Sequence, residues 1–360
     1  MEEKKKFSAR KTFFIFLSIM LSFVFLVCGF NILIDPYFHY HAPLGSKGYL
    51  LNADQERYIN DGILRHYKYD ALIIGNSMIQ NFKSSEFDEI FGVNSVKTGF
   101  SGASFKEIDQ NVRVALKHNK ELKTIIRCID DNKLLDDKDR LSYSAYPTYL
   151  YDNNIFNDYK YLLNKDVTKE SIKVIMRALF ENRSNTGFDS YGYWNDSYKN
   201  GKEEVLSTYN RPEINGTQTP FTEEDAEIVR GTINQNVIET AKANPDVTFY
   251  LFITPYSILY WDALNRYGTL NKQLAAQKLA IELMLECENI KLFSFFDDTE
   301  LFCNLDNYKD SGHYIASINS YMLKCMKNGE HILAKENYEE YINNLSMFLN
   351  AYDYDAIFAE

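Results

Sequence analysis

Hydrophobic positions follow three patterns along this 360-residue chain. The first is an unbroken run. From Thr12 to Ile34 no residue is charged, and most are Phe, Leu, Ile or Val. About 20 such residues, each rising ~1.5 Å in a helix, suffice to cross a hydrocarbon core of roughly 30 Å. The second pattern alternates short apolar segments with amphipathic ones. Residues 71–75, 93–98, 124–129, 247–254 and 290–296 read as strands, and 54–67, 105–118, 223–243 and 273–287 as helices. Short, continuously apolar strands separated by helices predict an α/β three-layer sandwich with a central parallel sheet. Ligands of such sheets bind beyond the carboxyl ends of the strands. The third pattern, from about 131 to 220, breaks the rhythm: it is dense in Tyr, Asn and Asp, with helical pieces near 159–163 and 169–180. It reads as an insertion over the active edge of the sheet. A closing helix is expected at 336–352.

These patterns divide the chain into a basic tip (1–12), a transmembrane anchor (13–34), a juxtamembrane linker and helix (35–69), a main domain (70–330) and a C-terminal helix and tail (331–360). A signal peptide has a shorter apolar core and ends at small residues. This run ends instead in Asn31-Ile32-Leu33-Ile34-Asp35-Pro36, and Cys28 follows the branched Val27 where a lipidated cysteine needs a small neighbour. An uncleaved single-pass anchor is therefore expected. Lys4, Lys5, Lys6, Arg10 and Lys11 precede the span and Asp35 follows it, so the tip is expected in the cytoplasm and the large domain outside.

Residues 2–11 carry a net +3 and the whole chain −11, leaving −14 beyond the tip. That balance argues against nucleic acid as a partner, since such binding rests on Lys and Arg neutralising phosphates. The five cysteines are scattered without a CxxC pair, so neither a disulfide framework nor a zinc site is indicated, and no cofactor or metal is expected. His39 and His41 near Asp35 lack a firm third ligand and suit interfacial packing better. The adjacent Asp130 and Asp131 point to opposite sides of a strand and mark its end; Asp136–Asp139 reads as a solvated turn.

The sharpest chemical signal is Ile73-Ile74-Gly75-Asn76-Ser77-Met78, an apolar strand ending in Gly-Asn-Ser. A serine there projects into the ligand region, and the glycine permits a sharp turn. Its hydroxyl needs a base to become a nucleophile; without one, Ser77 is a helix cap. Far downstream stands Asn307-Tyr308-Lys309-Asp310-Ser311-Gly312-His313-Tyr314. One turn can set the Asp310 carboxylate against an imidazole nitrogen of His313, leaving the other free to take a proton from serine. The competing reading has His313 capping a helix that starts near Tyr314. The insertion's aromatics (Tyr143, Tyr146, Tyr149, Tyr151, Tyr191, Tyr193 and Trp194) offer a stacking platform for sugars or simply pack that segment.

Together these segments resemble the SGNH/GDSL hydrolase family. Gly75-Asn76-Ser77 stands where the family has Gly-Asp-Ser. Thr98-Gly99-Phe100-Ser101-Gly102-Ala103-Ser104 is similar to the second block, and Asp310 with His313 to the last. The third block, Gly-x-Asn-Asp, is replaced by Cys128-Ile129-Asp130-Asp131-Asn132. The resemblance implies a flavodoxin-like SGNH fold and a Ser77–His313–Asp310 triad. It also implies an oxyanion hole from Ser77 and Gly102, with Asn132 as the side-chain donor. Membrane-anchored members with variant blocks are similar to the D-alanyl transfer protein of teichoic-acid modification and to acetyltransferase partners in alginate and peptidoglycan pathways. The implied function is an extracytoplasmic serine esterase or O-acyltransferase acting on an acylated cell-surface glycan or teichoic polymer, beside a multi-span membrane acyltransferase. Activity is expected at neutral or mildly alkaline pH, since the base must be uncharged and free histidine titrates near ~6.5. The alternative is a non-catalytic glycan-binding or assembly protein that keeps the fold.

Overall fold

Five strands pair in parallel: β1 (Ala71–Gly75), β2 (Ser95–Gly99), β3 (Thr124–Ile129), β4 (Thr248–Ile253) and β5 (Ile290–Ser294). A two-residue strand, β6 (Ile332–Leu333), joins β5 antiparallel, so the order is β2-β1-β3-β4-β5-β6. The sheet is thus mixed, not wholly parallel as expected; β6 is too short to leave a period in the sequence. This computed structural model describes residues 9–143, 147–152 and 154–359. Lys4, Lys5 and Lys6 of the basic tip, and Tyr146 of the insertion, lie outside the described residues.

Every residue of β1 and β2 is buried, which requires cover on both faces. Helices Phe105–His118, Glu223–Ile233 and Leu270–Met284 form one packed group with the C-terminal helix Tyr338–Ala351, and Ser84–Phe91 packs against Ala316–Asn328. The helix expected across 223–243 is interrupted by a π-helical stretch, Asn234–Ile238. There the Asn236 carbonyl accepts from the buried guanidinium of Arg127 on β3 (2.7 Å).

Ahead of the sheet, helix Ala9–Ile34 is long and apolar enough to cross a membrane, and its most apolar stretch is not buried in the protein. The segment after it is folded, which corrects the expectation of a linker. Asp35 accepts from the N–H groups of His39, Tyr40 and His41 and from the Tyr161 hydroxyl. Phe38, at φ +62°, is fully buried against Tyr49 and Tyr67. A phenylalanine in the left-handed region is strained, and this web of contacts holds it there. His41 bonds Ala42 and Ile32 carbonyls, and His39 faces Asp61 and Asp158. Among the described residues, no three His, Cys, Asp or Glu side chains cluster as a metal site.

Candidate active site

The chain reverses its winding between β1 and β3: β2 lies to one side of β1, while β3, β4 and β5 build outward on the other. Such a reversal opens a crevice at the strands' carboxyl ends. Ser77 stands there, two residues past the end of β1. Gly75 is needed because a Cβ at that position would collide with Cys128 Sγ on β3 and with Ile79. Asn76 is buried and bridges two elements. Its Oδ1 accepts from the Met78 N–H (3.0 Å), capping the 3-10 turn Ser77–Ile79, and its Nδ2 donates to Asp130 Oδ2 (2.7 Å).

Asp310 and His313 sit in a loop pinched by the bridge between Tyr308 and Tyr314 and by Lys309 N–H to His313 O (3.0 Å). Asp310 Oδ1 accepts from the backbone N–H groups of Gly312 (2.9 Å) and His313 (2.7 Å), while Oδ2 lies 2.9 Å from His313 Nδ1. Burial alone would raise the Asp310 pKa; the imidazole and these two amides outweigh it and hold the carboxyl at about 2. His313 does not cap a helix, since the next one begins at Ala316 after Ile315. Its Nε2 reaches Ser77 Oγ at 2.8 Å, joining segments 236 residues apart.

That distance is enforced from beneath. The Tyr314 hydroxyl donates to the Met78 carbonyl (2.9 Å), so the neighbour of His313 is bonded to the neighbour of Ser77. Asn319 Nδ2 reaches the same carbonyl at 3.3 Å. The buried Lys97 of β2 donates to the carbonyls of Gln80 (2.5 Å) and Phe82 (2.7 Å), fixing the chain just beyond the serine. Burial pushes the Lys97 ammonium pKa down to about 7.

Gly102 closes a turn in which Ala103 N–H bonds Phe100 O (3.0 Å), and its φ of +66° suits glycine. Glu56, buried at the head of helix Glu56–His66, braces this turn by accepting from Ser101 N–H (2.7 Å) and from Gln80 Nε2. Among the described residues, nothing accepts from the N–H groups of Ser77 or Gly102.

Asn132, read above as the third oxyanion donor, is not among the residues lining the Ser77 cleft, although the next residue, Lys133, donates to the Gly102 carbonyl (2.6 Å). The turn Asp131–Lys133 after β3 is capped by Asp130, whose Oδ1 takes the Asn132 N–H (3.2 Å), and this leaves Asn132 exposed. Asp130 and Asp131 face different partners, as expected of a strand end, but both are buried. Asp130 accepts from Asn76 and the Tyr256 hydroxyl; Asp131 accepts from Tyr260, Gln273 and Gln277. Burial raises both carboxyl pKa values, that of Asp131 to about 6.

Ser77, Gly102 and His313 share a cleft of about 630 Å³ with Gln80, Ser101, Tyr193, Trp194, Tyr198 and Lys309. The insertion supplies its aromatic wall. Asn81 Oδ1 accepts from the N–H groups of Trp194 and Asn195 (both 3.2 Å), and Asn195 Oδ1 accepts from Ala316 N–H (2.8 Å), stapling the insertion to both halves of the site. Trp194 meets the His313 ring edge-on at 5.7 Å, and the Lys309 ammonium lies 4.1 Å from the Trp194 centroid and 3.9 Å from that of Tyr198. Of the aromatics singled out above, Tyr193 and Trp194 line the cleft. Tyr191 is buried with its hydroxyl on Asn60 (2.7 Å), and Tyr151 donates to the Arg57 carbonyl (2.7 Å). Sequence alone did not reveal Tyr314, Asn81, Lys97 or Lys309; each acts through contacts distant in the chain. A separate cavity of about 450 Å³ between Phe296, His331 and Tyr341 contains none of these residues. Neither a protein-family model nor a curated protein sequence matches this chain, so what it does must be argued from this serine–imidazole–carboxylate geometry.

Proposed function

We propose that the chain is a membrane-anchored serine esterase or O-acyltransferase of the SGNH kind, with its α/β domain outside the membrane and an acylated cell-surface glycan or teichoic polymer as substrate. The observation that carries this reading is the continuous hydrogen-bonded line from Ser77 Oγ through His313 to Asp310. The strand order β2-β1-β3-β4-β5 supports it, because the reversal of winding opens a crevice between β1 and β3.

In the proposed reaction His313 Nε2 takes the Ser77 proton as Oγ bonds to the ester carbonyl carbon. The carbonyl electron pair moves onto oxygen, facing the Ser77 and Gly102 N–H groups. Collapse expels the alcohol, which receives the proton from His313, and leaves an acyl-serine. Water or a sugar hydroxyl then takes the acyl group by the reverse sequence. Asp310, a carboxylate at any working pH, holds the imidazole tautomer and stabilises its cation. Trp194, Tyr193 and Tyr198 supply flat apolar faces beside polar Gln80 and Ser101, a lining suited to a sugar chain. Partnership with a multi-span acyltransferase follows from the family resemblance.

A non-catalytic glycan-binding reading draws on one observation, the absence of Asn132 from the cleft lining. One experiment separates the two. The full-length protein in detergent is treated with a fluorophosphonate and digested, and the adduct is sought by mass spectrometry. Covalent labelling of Ser77, lost in Ser77→Ala and His313→Ala, is expected. Folded protein whose Ser77 never labels would leave the binding role standing and the enzyme abandoned.

A further inference from the structure

The last turns of the N-terminal helix lean on two helices of the insertion, Tyr159–Leu162 and Lys165–Met176. The joint is polar and closed. Asn31, fully buried, donates to the Leu162 carbonyl and to Thr168 Oγ1 (both 2.8 Å) and accepts from Ser171 Oγ (3.0 Å). A 26-residue helix is about 39 Å long at ~1.5 Å per residue, against a hydrocarbon core of roughly 30 Å. Asn31, one turn from the helix end, therefore belongs at headgroup depth. The two helices bonded to it must lie at the same level.

At that level their outer surface is apolar. Helix Lys165–Met176 turns Val167, Ser171 and Val174 inward. Its other face and its π-helical continuation Arg177–Glu181 expose Ile172, Met176, Leu179 (72 %) and Phe180 (74 %). Just before them Ile155 (74 %) and Phe156 (85 %) stand almost bare. Among the described residues, more than half of the large apolar side chains exposed beyond the N-terminal helix fall within residues 155–180. Lys165, Lys169 and Lys173 are exposed on the same segment. Apolar side chains flanked by long cationic ones characterise helices that lie in a lipid interface.

We infer that residues 155–180 form a membrane-embedded platform, with Phe156, Leu179 and Phe180 inserted among the lipids of the leaflet that the N-terminal helix leaves at Ile34. The inference rests on that helix spanning the bilayer, and its occupant is phospholipid, not a protein groove. It also has a functional consequence. Residues 183–191 run from the platform straight into the cleft wall at Tyr193 and Trp194, and the segment after Ile34 is folded. The cleft is thus held at a set height over the bilayer instead of swinging on a tether.

The test uses the full-length protein reconstituted in lipid vesicles, containing no other protein, whose acyl chains are brominated near the headgroup. Tryptophan is introduced singly at Phe156, Phe180, Phe23 within the span, and Met347, which is exposed on the C-terminal helix. Wild-type emission from Trp194 and Trp261 is subtracted. Phe156→Trp, Phe180→Trp and Phe23→Trp should lose emission to the bromolipid, while Met347→Trp keeps it. Quenching at position 23 without quenching at 156 and 180 leaves the span intact and overturns the platform, assigning the patch to a protein partner. No quenching at position 23 removes the span and the platform with it.

Discussion

Replacing Asp310 by Asn removes one charge and almost no volume, and the geometry dictates which bonds survive. The Asn carbonyl oxygen can keep the two backbone N–H bonds from Gly312 and His313, which all fall on Asp310 Oδ1. The amide nitrogen must then occupy the Oδ2 position, 2.9 Å from His313 Nδ1, where it donates instead of accepting. The imidazole responds by carrying its proton on Nε2, the atom facing Ser77 Oγ at 2.8 Å. A ring nitrogen that already bears hydrogen cannot take the serine proton. In a triad this wrong-tautomer penalty is ~10⁴-fold in turnover, about 5 kcal/mol of barrier. The loop itself should hold, because the amide-to-oxygen bonds remain. The assay is acyl-serine formation from an activated acetyl ester by full-length protein in detergent, with urea unfolding of both variants alongside. Asp310→Asn that acylates within a few-fold of wild type, while equally stable, refutes the proton-relay assignment.

Tyr314→Phe deletes the hydroxyl that ties the His313 segment to Met78 and leaves that carbonyl with the longer Asn319 contact. A loss of about 1 kcal/mol in unfolding free energy, measured in urea, and a modest fall in acylation rate are expected. Asp131 supplies a pH test. Burial raises its folded pKa to about 6, above the unfolded ~3.9, so between those values the folded state binds the extra proton. Its contribution to stability is therefore full below pH ~4 and is lost as pH rises through about 6. The whole swing is on the order of 3 kcal/mol. Urea unfolding at pH 4.5 and pH 7 should show Asp131→Asn lacking this slope.

The elements legible in the sequence were those whose cause is local. β1 and β4 are mainly apolar runs and β3 is one interrupted by Arg127, and all three form within a residue or two of the expected limits. Ser77 and the Asp310–His313 pair were legible because strand end and tight loop are short-range features. What was hidden depends on distant partners. Nothing near Tyr314 signals that its hydroxyl meets Met78, and nothing near Asn81 signals that it anchors Trp194. Nothing around Asn132 signals that Asp130 caps a 3-10 turn at that point. The segment from Asp35 looked like a linker because its order comes from Tyr161 and Tyr49, not from any periodicity of its own.

On the proposed SGNH reading, the first and third blocks depart from that family's pattern together. Laid position for position on Gly-x-Asn-Asp, the third block here puts Asp130 where the family has asparagine, and the first puts Asn76 where it has aspartate. These two side chains hydrogen-bond each other, Asn76 Nδ2 to Asp130 Oδ2 at 2.7 Å. Amide and carboxylate have traded places while the donor–acceptor pair remains. Their other oxygens have duties that either residue type can perform: Asn76 Oδ1 caps Met78, and Asp130 Oδ1 receives Tyr256 and Asn132. Asp130→Asn alone sets two amide groups face to face, and Asn76→Asp alone buries two carboxylates side by side. Each single change should destabilise, the second more, because a buried like-charge pair lacks compensation. The double exchange restores the bond, so a double-mutant cycle should give a favourable coupling of about 0.5–3 kcal/mol. Simple additivity of the two costs in urea unfolding would show that the pair does not act as a unit.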